Sequence, residues 1–162
     1  MMKNKIRIAF RIMTLIFTLG ALVSCVENEC CTVIDTSILI QYEDSEGKKL
    51  LDQDGFVDLS KTVVFHKIDG AWVVHNSHNL DVPNGLSMIE INGEKFLQLH
   101  PSQNYYSRTL SETRINFRED LIAIIKAEFN FNDGNVICER VWYNDELKWE
   151  SKDGERRIVI IL

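Results

Sequence analysis

Residues 121–162 read LIAIIKAEFNFNDGNVICERVWYNDELKWESKDGERRIVIIL. Apolar and polar residues alternate with a period of two through most of this stretch, the pattern of a sheet with one buried face. Asp133-Gly134, Asn144-Asp145 and Asp153-Gly154 each stand between apolar runs and carry the residue types of two-residue hairpin loops. Read as such loops, the first sets Phe131 opposite Val136, Phe129 opposite Cys138, Ala127 opposite Arg140 and Ile125 opposite Trp142. The second sets Trp142 opposite Leu147 and Arg140 opposite Trp149. The third sets Trp149 opposite Ile158 and Leu147 opposite Ile160. One face then collects Phe129, Cys138, Arg140, Trp142, Leu147, Trp149, Ile158 and Ile160, and the other carries Lys126, Glu128, Glu139, Glu146 and Lys148 with Ile137, Val141, Tyr143, Val159 and Ile161. A one-residue slip at any turn mixes the faces. The expectation is a four-stranded antiparallel meander whose apolar face needs a cover, since burying one Trp or Phe there contributes roughly 2–3 kcal/mol.

The upstream chain supplies that cover. Thr36–Glu43 alternates as a strand, and Asp44–Asp58 is a long polar connection. Thr62–Ile68 and Ala71–Asn76 flank Asp69-Gly70, and Leu86–Ile91 and Glu94–His100 flank Asn92-Gly93, the strongest short hairpin signal. Ser77–Gly85 and Pro101–Ser111 read as loops. Sheet against sheet gives an all-β fold, an antiparallel β-sandwich over residues 36–162, with a small β-barrel as the alternative.

The first 24 residues are of another kind. Lys3, Lys5, Arg7 and Arg11 precede a 12-residue apolar run, Ile12–Val23, too short to span a membrane and of the size of a signal-peptide core. The run ends in Leu22-Val23-Ser24-Cys25, which resembles the bacterial lipobox. That resemblance implies cleavage after residue 24 and acylation of Cys25, with residues 25–35 as a lipidated tether. Several acyl chains on one residue make a stable anchor, at about 0.8 kcal/mol per buried methylene. Val26 follows Cys25 in place of the aspartate that retains some lipoproteins at the inner membrane, so the expected location is the outer membrane, on an undetermined side.

Those 24 residues hold four of the 18 basic residues and none of the 24 acidic ones, leaving a net charge of −10 on the remaining 138. A domain that acidic is a poor nucleic-acid binder. Ile38–Asp44, Gly47–Asp52 and the run CERVWYNDELKWE from Cys138 to Glu150, together with the lipobox, resemble a group of small uncharacterised lipoproteins of Bacteroides-type bacteria. The resemblance implies an envelope location and an all-β fold, and it transfers no site residues.

Candidate sites follow from single residues. Once Cys25 is acylated, Cys30, Cys31 and Cys138 remain. Either Cys30 or Cys31 bridges Cys138, or Cys138 is a small core residue. The register points Arg140 inward beside Trp149, where it is either a buried anion clamp or a structural cation, and where its replacement by alanine destabilises the domain. Asp52, Asp54 and Asp58 echo a calcium loop, but Lys61 stands where the bidentate acid belongs, so an acidic turn is the reading. His75 and His78 lie three residues apart without a flanking acid, and His66 and His100 stand alone. No metal or cofactor is expected. Tyr105 and Tyr106 in a polar loop, with Tyr143 on the mixed sheet face, are candidates for stacking on a sugar or anchoring a protein, whereas Trp72 reads as core. The expected function is a non-catalytic outer-membrane lipoprotein that binds a partner protein or glycan. The alternatives are a small hydrolase and a structural envelope component.

Overall fold

Positive φ at both central residues sets the right-handed twist of a tight hairpin, and three turns here have it: Asp69-Gly70 (50° and 83°), Asn92-Gly93 (53° and 82°) and Asn144-Asp145 (48° and 67°). The computed structural model describes residues 32–77, 81–106, 109–132 and 134–162. Among these residues there are eleven strands: β1 (Ile34–Asp35), β2 (Ile38–Glu43), β3 (Val63–Ile68), β4 (Ala71–Val74), β5 (Leu86–Ile91), β6 (Glu94–Leu99), β7 (Leu110–Arg118), β8 (Leu121–Asn132), β9 (Asn135–Tyr143), β10 (Glu146–Glu150) and β11 (Arg157–Ile161). The three turns join β3 to β4, β5 to β6 and β9 to β10, as their sequences predict.

The strands form two packed sheets and no closed barrel. The larger runs β1-β9-β8-β7-β3-β4, with β10 also on β9, and the smaller runs β11-β2-β6-β5. Both are mixed, because β1 lies parallel to β9 and β11 parallel to β2. The β-sandwich therefore stands, but it is not purely antiparallel. Its core is the space between the sheets: Ile38, Ile40, Tyr42, Leu97, Leu99, Ile158 and Ile160 from the smaller meet Val64, Ile115, Phe117, Ile125, Phe129, Val141, Tyr143 and Trp149 from the larger.

The meander ends one strand early. β11 leaves β10 and pairs with β2, Ile158 beside Ile40 and Ile160 beside Tyr42. Ser151–Asp153 form a single 3-10 turn in place of the third hairpin, with the Glu150 N–H donating to the Asp153 carboxylate at 2.9 Å. Arg156 then fastens the crossing. Its guanidinium donates to both Asp35 oxygens (2.9 and 3.1 Å) and to the Ser37 carbonyl (2.8 Å), and it lies 5.0 Å over the Trp149 ring. Ile158 and Ile160 still face the core, but from the opposite sheet.

Two β-bulges correct the register of the remaining hairpins. Phe129 pairs with Cys138 as expected, but Glu128, not Ala127, pairs with Arg140, so Glu139 is an extra residue. From there the faces of β9 exchange: Val141 and Tyr143 point inward, and Arg140 and Trp142 point out. The second bulge, at Lys148, brings Trp149 inward opposite Val141 and leaves Leu147 outward opposite Trp142. Regular alternation has no means of counting a bulged residue, which is why the uncorrected pattern puts Arg140 and Leu147 inside. Arg140 lies on the surface, against Glu128 and 5.6 Å from the Trp142 ring. Arg140→Ala accordingly costs less than about 1 kcal/mol, the range of an exposed ion pair, and the urea unfolding midpoint stays close to wild type.

Strand β7 lies in the middle of the larger sheet, between β3 and β8. Its inward positions begin with Ser111 and Thr113, both fully buried, before Ile115 and Phe117. Those two polar residues make its start look like the end of the preceding loop. Trp72 lies half-buried on the outer face, between Lys67 (5.6 Å) and Arg114 (5.2 Å), rather than in the core.

Candidate functional site

Two connections cross between the sheets beside the paired start of β5 and end of β6: residues 75–85 from β4 to β5, and residues 100–109 from β6 to β7. Each is pinned by its own residues. The Ser102 N–H donates to Thr113 Oγ1 at 2.8 Å, which lays the second connection over β7. The His75 N–H donates to the Val64 carbonyl, and the His100 N–H donates to the Gly85 carbonyl. Gly85 has φ +70°, and a Cβ there would lie 3.1 Å from the His100 carbonyl oxygen and 3.6 Å from the His75 ring. Only glycine combines that backbone with that close approach.

Between the connections is a cleft of about 580 Å³, walled by His66, His75, His100, Asp81, Val82, Pro101, Gln103 and Asn104. His66 and His75 are far from alone: β3 and the continuation of β4 stack their rings with centroids 3.9 Å apart and planes 17° apart. His66 is 7% exposed, and its Nε2 has no hydrogen-bond partner among the described residues. Burial, with the facing His75, pushes its pKa down to about 4, and burial also lowers that of His75. The sequence separation of nine residues hides this pair, because only the β3–β4 register brings the two rings together.

Gln103 and Asn104 also wall a second depression of about 510 Å³, shared with Lys67, Asp69, Gly70, Tyr105 and Tyr106. Tyr106 is 37% exposed, and its hydroxyl donates to Glu112 at 2.7 Å. Burial and the Glu112 carboxylate hold its phenol well above the ordinary range. Burial alone would raise the Glu112 pKa, but the Lys67 ammonium (2.8 Å) and the Tyr106 hydroxyl outweigh it and keep the carboxyl ionised. Tyr105 turns inward instead, edge-on to Phe129 (5.2 Å) and Phe131 (4.9 Å), so it wedges the loop against the sheet. Tyr143 is largely buried in the core beside Tyr42, turned inward by the bulge at Glu139 rather than presented on the outer sheet face.

Of the remaining candidates, Cys138 is fully buried, and burial pushes its thiol up to about 11, which makes it a poor nucleophile. Cys25, Cys30, Cys31 and His78 lie outside the described residues. Asp52, Asp54 and Asp58 are exposed, and Asp58 accepts from Ser60 and faces Lys61. Among the described residues no group of three or more His, Cys, Asp or Glu is placed to hold a metal ion.

The imidazole stack makes folding proton-linked. The folded pKa of His66 lies below its unfolded value, so the unfolded chain binds more protons at mildly acidic pH. This contribution to stability is complete above about pH 6.5 and is lost as pH falls toward about 4. Its size is on the order of 2 kcal/mol once solvent screening is allowed for. Melting midpoints taken across that window fall for the wild type. They fall less for His66→Gln, which has no proton to take up; parallel slopes would contradict this reading.

No family model, curated protein or solved structure matches the chain.

Proposed function

We propose that the protein is a non-catalytic, lipid-anchored lipoprotein of the outer membrane that binds an uncharged oligosaccharide along the residue 101–106 connection. The observation that carries this reading is the pair of adjoining depressions that share Gln103 and Asn104. Amide side chains donate and accept at once, as sugar hydroxyls require. Tyr106 on one side, with Val82 on the other, offers apolar surface for sugar C–H faces. Two depressions that share a wall suit a chain of sugar residues better than a single small molecule.

A glycan array probed with the purified protein tests the reading. Binding to neutral glycans that falls at least about tenfold in Tyr106→Ala supports it, a loss of about 1.4 kcal/mol. Binding to no glycan, with crosslinking to an envelope protein through the same loop, replaces it with the partner-protein reading.

The anchor is supported by the basic start, the short apolar run and the Leu22–Cys25 motif. Cys25→Ala is expected to move the protein from the outer-membrane fraction to the soluble fraction or to leave its precursor uncleaved, with the melting midpoint of the domain unchanged. A variant that still fractionates with outer membranes as a mature chain would overturn the anchor. Protease treatment of intact cells carrying a C-terminal tag then decides the side: loss of tag places the domain outside, and protection until lysis places it in the periplasm.

A further inference from the structure

We propose that the histidine cleft is a proton-gated subsite, in which His66 and His75, while neutral, hold an uncharged hydroxylated group that uptake of a proton by the stacked pair releases. The proposal rests on the oligosaccharide reading for its ligand class, and it adds which end of the groove grips and what makes it let go. Among the described residues the cleft has no lysine or arginine in its wall and one carboxylate, Asp81, so an anionic ligand meets no counter-charge there. A hydroxyl suits His66 Nε2, a buried polar atom with no partner among the described residues, because either imidazole tautomer can pair with it. Gln103 and Asn104 serve neighbouring hydroxyls.

Release follows from the stack. Parallel rings 3.9 Å apart tolerate each other when neutral. A proton on either ring places a cation against its neighbour in a desolvated wall, and the relief is for the ring to rotate toward water. His75 is the ring with more access to solvent and the freer to turn. Among the described residues the other titratable groups that line the cleft are His100 and Asp81, both exposed, and on β7 the register neighbour of His66 is the uncharged Thr113. Of these Asp81 favours the proton, and its exposure to water weakens that pull.

Carbon-detected histidine and tyrosine ring resonances of the wild-type protein test this directly, with the methyl glycosides of glucose, galactose, mannose and N-acetylglucosamine as probes. At about pH 7 at least one probe is expected to shift the His66 and His75 signals, with affinity falling as pH drops below about 6.5 and at least about twofold weaker at about pH 4. The midpoint of that loss should coincide with the titration of His75 or His66. Equal affinity at both pH values overturns the proposal, and so does a midpoint that follows His100 alone. Probes that shift only the Tyr106 signals leave the oligosaccharide reading standing and remove the gated subsite. Probes that shift neither set remove both.

Discussion

Val141→Asp is expected to abolish cooperative folding, while Trp142→Asp, one residue on, leaves a folded protein weakened by about 1–2 kcal/mol. Val141 is fully buried between Ala127 on β8 and Trp149 on β10. A carboxylate there has neither water nor a cation within reach, and burying an unpaired charge exceeds the margin by which most domains are stable. Trp142 lies half-buried on the outer face, where its neighbours are Lys126, Leu147 and the Arg140 guanidinium. An aspartate at that position keeps its hydration and gains Lys126 as a partner. The comparison reads the bulge at Glu139 directly. An unbroken ladder exchanges the two residues between faces and predicts the opposite order of damage. Circular dichroism with urea titration separates the cases, and a stable Val141→Asp would mean that the bulge is misplaced.

The second large effect is at Tyr42. Its ring is fully buried and sits among Phe56 (5.7 Å), Phe117 (5.9 Å) and Tyr143 (6.3 Å), the last two edge-on. These contacts join the smaller sheet to the larger and seat the residue 44–58 connection through Phe56. Tyr42→Ala removes the ring and leaves a cavity that rigid neighbouring strands cannot fill, at a cost of about 3–5 kcal/mol. Tyr42→Phe keeps the ring and is expected to cost about 1 kcal/mol or less. Equal losses in the two variants would move the energy from the ring packing to the hydroxyl. The loss in Tyr42→Ala takes up a large part of a typical domain's stability, so the variant should melt well below wild type.

The same residues show how legible the molecule is from sequence. Turn chemistry is local: the backbone that Asp69-Gly70, Asn92-Gly93 and Asn144-Asp145 adopt depends on those residues themselves, and all three hairpins follow from them. The partnership of Phe129 with Cys138 follows as well, because it lies before the first bulge. Beyond the bulge the reading reverses, and with it Arg140, Trp142, Val141 and Tyr143. The candidate site was less legible. Tyr106 stands out in the sequence as an aromatic in a polar loop, and the structure leaves it exposed. His66 with His75, the strongest feature of the cleft, carries no local signal.

What the amino-acid order determined by itself is therefore the set of interactions with short reach: most of the strand segments, three of the tight turns between them, and that one face of most strands is apolar. What only the tertiary structure decided depends on competition between distant partners. β11 had β10 beside it in sequence and took β2 instead, drawn by the Arg156 attachment to Asp35 and Ser37 and by burial of Ile158 and Ile160 on the opposite sheet. The bulges at Glu139 and Lys148 exist because the core accepts Val141, Tyr143 and Trp149 and refuses an arginine. The imidazole stack exists because the β3–β4 pairing, continued by the His75 N–H on the Val64 carbonyl, lays His75 against the buried His66. In each case the deciding energy comes from desolvation and packing against residues far along the chain, and pattern within a single segment does not contain it.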